Sequence, residues 1–444
     1  MAQSTISIPF LTLEDPNAKI KGSRDPLGIV PIWSAFGRHV VTNVISVSTS
    51  VRGFTVLLLG RYFSGRLIEE RIVPREEALN IVLRMEQAGA YARYVGHRAE
   101  RDIRGIERVK RFLDDGKGKV HIQSDPRGFI LADQKVYGLW GLYTVAARRS
   151  GWLPDLPLGV LSPAREFIEK HYIAPLDAAV APLMRLLARG GVLDTRKGGD
   201  AVFKGVVRIL PETFSPAEVA FYGGYLRDSL GNHDGTLSEG TEGKHGRQAR
   251  FRPLLEEHTD LDQPVNRDEI LALAKAARLT DEGLSHALWR IAHLEALLAP
   301  ATALFDFVST RNGQTPSEIA GEMRKRWGEA VPNLDGVAFQ DLLAEIAEVS
   351  NQGIATVMHR THRALASGDY EEAVRAILEW NKGVQEGRKG GPWIVLTDAG
   401  RTDVRYRGMD QFLPEKEELP TLWRNSYFID AIKSITKQLR RTAP

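Results

Sequence analysis

The stretch 52–67, RGFTVLLLGRYFSGRL, decides the fold class. Val56, Leu59, Tyr62, Phe63 and Leu67 recur three or four residues apart, the spacing that lines one face of an α-helix. Pro74 then opens a second helix carrying Leu79, Val82, Leu83, Met85 and Tyr91; the first turn tolerates proline because its N–H would have no intrahelical acceptor. The same periodicity predicts helices at about 99–113, 130–149, 163–189, 268–278, 282–310, 315–327, 338–366 with a break, 369–387 and 419–441. Glu318, Glu371 and Glu372 fall in predicted first turns, where a carboxylate meets the positive helix end. A mainly α, multi-helical protein follows.

Its 444 residues exceed what one core usually organises, so two or three domains are expected. Residues 1–50, with Pro9, Pro16, Pro26, Pro31 and the β-branched run 40–47, read as an irregular arm containing one short strand. Residues 51–195 form a first helical domain. Residues 196–265, rich in Gly, Ser, Thr and charge, read as an exposed, partly mobile connection. Residues 266–444 make a second helical domain, with two short strands at 392–407 around Asp398-Ala399-Gly400.

Apolar residues make up 43% and charged residues 26%, values of an ordinary globular chain. The best candidate for an apolar run, Gly53 to Gly60, is less than half of what a membrane helix needs. The start MAQSTISIPF lacks a basic n-region followed by a long apolar stretch, so a cytoplasmic location is expected. The absence of cysteine removes disulfides, thiol nucleophiles and thiolate metal sites. A net charge of +3 permits nucleic-acid binding without requiring it.

Motifs of known chemistry are sparse. No Walker-type loop, dinucleotide fingerprint, G-x-S-x-G or H-E-x-x-H occurs. In Leu230 to Gly235, LGNHDG, the phrase Gly-Asn-His-Asp resembles the one with which metallophosphoesterases present Asn and His to two metals; Asn232, His233 and Asp234 are therefore an outlying metal candidate. The upstream Asp-x-His, the Gly-Asp-x-x-Asp and the Gly-His-x-His of that family are missing, and two metals need about six ligands. His286 and His293 lie two helical turns apart, whereas a metal prefers one. His359 and His362 have the better spacing, but Arg360 and Arg363 flank them and oppose a cation. Fragments of a nuclease-like carboxylate and lysine pattern, Asp200 with Lys204 and Glu415 with Lys416, leave a metal-dependent nuclease or phosphoesterase as a second alternative. No cofactor is expected.

Basic residues cluster more clearly. Arg101, Arg104, Arg108 and Arg111 are spaced three, four and three apart, which on a helix over 99–113 gives one basic stripe able to follow phosphates. Glu100, Asp102 and Glu107 interleave, so a solvated face with weak ion pairs is the plain alternative. Lys244, Arg247 and Arg250 form a second cluster, and Lys433 and Lys437 a third. Arg148 and Arg149 end the helix predicted at 130–149.

The segment 147–172, ARRSGWLPDLPLGVLSPAREFIEKHY, resembles the closing half of a winged helix: a basic helix end, a two-stranded wing, then Leu-Ser-Pro opening a helix. Ser162 stands where those proteins carry Thr, and the glycine before Arg165 is missing. A shorter echo, GGPWIVLTDAGRTDVR at 390–405, keeps Leu396-Thr397 and Gly400-Arg401. The resemblance implies winged-helix-like hairpins and contact with DNA ahead of RNA. Together with the basic clusters it gives a first expectation: a non-catalytic nucleic-acid-binding subunit of a larger bacterial assembly, in the widest sense one of genome or antiviral defence. A helical scaffold for protein partners is the alternative, motivated by Trp33, Trp140, Trp152, Trp393 and Trp423 near turns.

Overall fold

The computed structural model describes residues 25–441 apart from 156–157, 197–198, 232–241, 332–333, 335 and 408–412; the side chains of 242–245, 336–339 and 420 are also outside the description. The protein is mainly helical, and its described strands form two antiparallel two-stranded sheets. The chain divides into two compact units. One consists of Met1–Ala35 with Ala292–Asn425, the other of Phe36–Ile291 with Ser426–Pro444. Each is assembled from separated stretches, unlike the successive segments expected from the sequence.

The larger unit is built on the helix Val51–Glu69, which runs through its core. Ser50 caps it by accepting from Gly53 N at 3.1 Å, and all of its residues but Arg66, Ile68 and Glu69 are buried. It packs against the helices Ala78–His97 and Leu139–Arg149. Gly60 makes the first of these contacts close, since a Cβ there would lie 3.2 Å from Val82 Cα. Burial on every side brings Arg52 inside, and its charge is answered. Arg52 pairs with Glu218 and donates to the carbonyls of Pro211 (2.5 Å) and Thr213 (2.6 Å), while Tyr172 donates to Glu218 at 2.7 Å. Such a network is costly to break, because a lone buried ion remains.

Several boundaries differ from those read in the sequence. Residues 29–38 form the helix Ile29–Arg38, and 40–50 contain no strand. Val40, Val41 and Val44 are fully buried there, but side chains take the place of a ladder: Thr42 N donates to Gln248 Oε1, Val44 N to Asn43 Oδ1 and Ile45 N to Ser48 Oγ. The helix expected from 163 to 189 is interrupted at Asp177, whose φ of 46° leaves the helical region, and resumes as Val180–Arg189. The expected connection at 196–265 holds the helices Ala201–Ile209, Pro216–Tyr222 and Glu242–His258. Val206, Phe251 and Leu255 are fully buried, so core-facing residues outweigh the local glycine content. Strand Lys119–Ile122 pairs antiparallel with Gly191–Asp194, joining residues more than sixty apart that no local pattern links. The last helix, Ile429–Leu439, is shorter than expected; Gln438 ties it to the core by accepting from Val51 N and donating to Thr49 O.

In the smaller unit, Tyr370–Gly387 packs between Pro316–Trp327 and Gln352–Ser367. The hairpin expected at 392–407 forms, with Ile394–Leu396 paired to Thr402–Val404. Its turn is engaged within the unit: Arg401 donates to Gly313 O at 2.7 Å and pairs with Glu318 at 3.4 Å. Glu282–Val308 is the helix among the described residues long and apolar enough to cross a membrane, and 78% of its most apolar window is buried.

Candidate functional site

The predicted basic stripe does not form as one helix face. The helix begins at Ile106, so Arg101 and Arg104 lie in turns before it and only Arg108 and Arg111 are helical. Gly105 fixes that start. It holds a φ of 74°, and a Cβ there would lie 2.0 Å from Ile130 O, so the chain turns sharply where the stripe needed continuous helix. Arg104 donates to Val47 O at 2.9 Å, and Arg108 to Phe129 O and Leu131 O at 3.2 and 2.9 Å. Arg101 and Arg111 stay exposed.

The other clusters are largely occupied. Arg247 donates to His39 O at 3.0 Å, and Arg250 pairs with Asp281 at 2.7 Å. Lys244 lies in the helix Glu242–His258 with its side chain outside the description. Lys433 is buried and 3.5 Å from Glu269, and Lys437 pairs with Asp262. The spacing of the lysines on the last helix is as expected, yet one of them faces inward. Asn232, His233 and Asp234 lie outside the described residues. Among the described residues no group of three or more His, Asp and Glu is placed to hold a metal. Arg360, beside the histidine pair, pairs with Glu372 at 2.8 Å and with Glu379, and His359 Nε2 lies 2.8 Å from Gln340 Nε2.

Arg148 and Arg149 are placed differently. They end the helix Leu139–Arg149, separated from the short helix Gln134–Tyr137 by Gly138 in extended conformation. Glu86 sets this break: its buried carboxylate accepts from Leu139 N (2.9 Å) and from Gln134 Nε2 (2.9 Å) at the positive end of the new helix. Burial raises the Glu86 carboxyl to about 7 against the opposing pull of these donors and of Arg104.

From that anchor the helix presents Gly141, Val145 and Arg148 to solvent, spaced four and three. Half-buried residues flank this face, Trp140 and Thr144 on one side, Leu142 and Arg149 on the other. Each flank ends at a second arginine, Arg61 buried and Arg38 half-buried. On one, Arg61 lies with its guanidinium 5.2 Å from the centre of the Trp140 ring, and burial followed by the charge of Arg148 lowers its pKa to about 10. On the other, Arg38 stacks 3.7 Å over Phe428 and donates to the carbonyls of Val41 and Val44. Burial, then Arg149, lowers its pKa to about 9. Both arginines remain cationic at neutral pH; burial is the larger cause of the shifts and the neighbouring arginine the smaller. Among the described residues no carboxylate lies within ion-pair distance of Arg38 or Arg149, and Arg148 meets only Asp155, 3.7 Å away and almost fully exposed. Such an exposed contact is worth little.

The arrangement can attract and orient a polyanion along one helix end. Sequence reasoning picked out Arg148 and Arg149 but missed Arg38 and Arg61, which belong to distant helices and look like ordinary helix arginines. The segment 150–161, where the winged-helix resemblance implies a wing, has no strand among its described residues; Leu161 N donates to Trp152 O at 2.8 Å across it. Comparison with protein-family models, with curated proteins and with solved structures gives no match.

Proposed function

We propose that the chain binds nucleic acid through the exposed face and C-terminal end of the helix Leu139–Arg149, with Arg148 and Arg149 contacting phosphates. The observation that carries this reading is that Arg148 and Arg149 each act electrostatically on a second arginine, Arg61 or Arg38, while among the described residues Arg38 and Arg149 have no carboxylate within ion-pair distance and Arg148 has only the exposed Asp155. Elsewhere in the larger unit, Arg250, Lys433, Lys437 and Arg440 have carboxylate partners within the fold. A phosphodiester chain would supply the missing negative charge, and the contacts would orient it without reading sequence.

Anisotropy titration of labelled DNA and RNA at low salt tests this. The double variant Arg148→Gln/Arg149→Gln is expected to bind about tenfold more weakly, the loss of two phosphate contacts at a partly solvated surface. Equal affinity of the variant and the parent chain overturns the reading.

A further inference from the structure

We infer that the nucleic acid held by this face is single-stranded, with an unpaired base stacked on the Trp140 ring while Arg148 holds a neighbouring phosphate. The inference rests on the reading above and adds what is bound. Its basis is the apolar and aromatic content of the same face, which a surface made only for duplex phosphates does not need. Val136 and Val145, 48% and 43% exposed, and Tyr137, 45% exposed, stand among the chain's exposed large apolar side chains. Val136 adjoins the face through its backbone, its carbonyl 2.1 Å from where a Cβ on Gly141 would sit. Trp140 is half-buried at the flank, with the buried Arg61 guanidinium 5.2 Å from the centre of its ring.

A base in a duplex hides its faces in the stack, and its phosphates alone would meet this surface. An unpaired strand offers both parts, a base for the ring and a phosphate for the guanidinium, and alternating aromatic and basic contacts are how such strands are held without sequence preference. Trp140, Thr144 and Arg148 follow one line along the helix at intervals of four, about 12 Å from first to last at 1.5 Å per residue. That span accommodates a nucleotide or two. Lys135, exposed next to Val136, extends the positive charge beyond the tryptophan. Exposed carboxylates near this face include Asp133, at the first helix start, and Asp155, beside Arg148. A protein partner docking by the apolar residues alone is the competing occupant, but it gives no reason for the arginines behind both flanks.

The experiment uses the full chain, labelled (dT)20, a 20-base-pair duplex, and heparin as a polyanion without bases. Binding of (dT)20 about tenfold tighter than the duplex is expected, with Trp140→Ala losing about tenfold on (dT)20 and changing heparin binding less than about twofold. Trp140→Phe should recover part of the loss. Because a half-buried tryptophan contributes to packing, photocrosslinking of a 5-bromouracil oligonucleotide to the unaltered protein supplies a second readout. The crosslink is expected within residues 135–149. Duplex bound as tightly as (dT)20, an equal loss on heparin and (dT)20, or a crosslink confined to other segments overturns the single-strand inference while phosphate binding stands. No binding of any of the three polyanions overturns the parent reading as well.

Discussion

Single buried residues set most of what is unusual in this chain, and two of them titrate in opposite senses. Glu86 carries a raised pKa of about 7, so the folded state holds its proton more firmly than the unfolded chain does. Its contribution is fully present below the ordinary carboxylate range and is lost as pH rises through about 7, a difference of up to about 3 kcal/mol at 1.36 kcal/mol per unit. Glu86→Gln is expected to flatten the fall in stability between pH 5 and 8 in denaturant titrations; an unchanged slope would show that the carboxylate is not the source. His362, buried in the helix Gln352–Ser367, behaves in the other direction. Burial, then the neighbouring His359, lowers its pKa to about 4, so its neutral form stabilises the fold above the ordinary histidine range and that stability is lost as pH falls through about 4. His362→Gln should weaken the loss of stability between pH 6.5 and 4, measured in the same way; a loss as steep as in the parent chain speaks against it. Neither shift was legible in the sequence, because both depend on what distant segments bury.

Among the elements, helices were the legible part. Tyr370–Gly387 and Pro316–Trp327 fall within a residue or so of their expected positions, since Asp369 and Thr315 supply the caps that the sequence announces. The misses are of two kinds. Tertiary partners turned the β-branched run at 40–47 into a buried coil, with Asn43, Ser48 and Gln248 replacing a strand neighbour. Backbone breaks at Gly105, Gly138 and Asp177 divided helices that periodicity alone would have run on. The first of these breaks destroys the basic stripe. Gly105→Ala places a Cβ against Ile130 O at a φ of 74°, and is expected to cost at least about 1–2 kcal/mol of stability. A thermal or denaturant midpoint indistinguishable from the parent's would mean that the turn relaxes without cost and does not fix the helix start.

For the whole molecule, the fold class was legible and the association of segments was not. The return of Ser426–Pro444 to the larger unit, and the grouping of Met1–Ala35 with Ala292–Asn425, rest on contacts between residues hundreds apart. The candidate site divides in the same way. Arg148 and Arg149 stood out as a basic helix end, but their partners Arg38 and Arg61 arrive from other helices, and only the fold shows that positive charge gathers there with little acid beside it.

That excess charge is the central claim, and the salt dependence of binding measures it most directly. Association constants for a single-stranded oligonucleotide between 50 and 200 mM salt should fall steeply for the parent chain, and the slope of log K against log salt should shrink by about 1.4 in Arg148→Gln/Arg149→Gln, roughly 0.7 for each lost phosphate contact. Equal slopes for the two proteins would contradict the account.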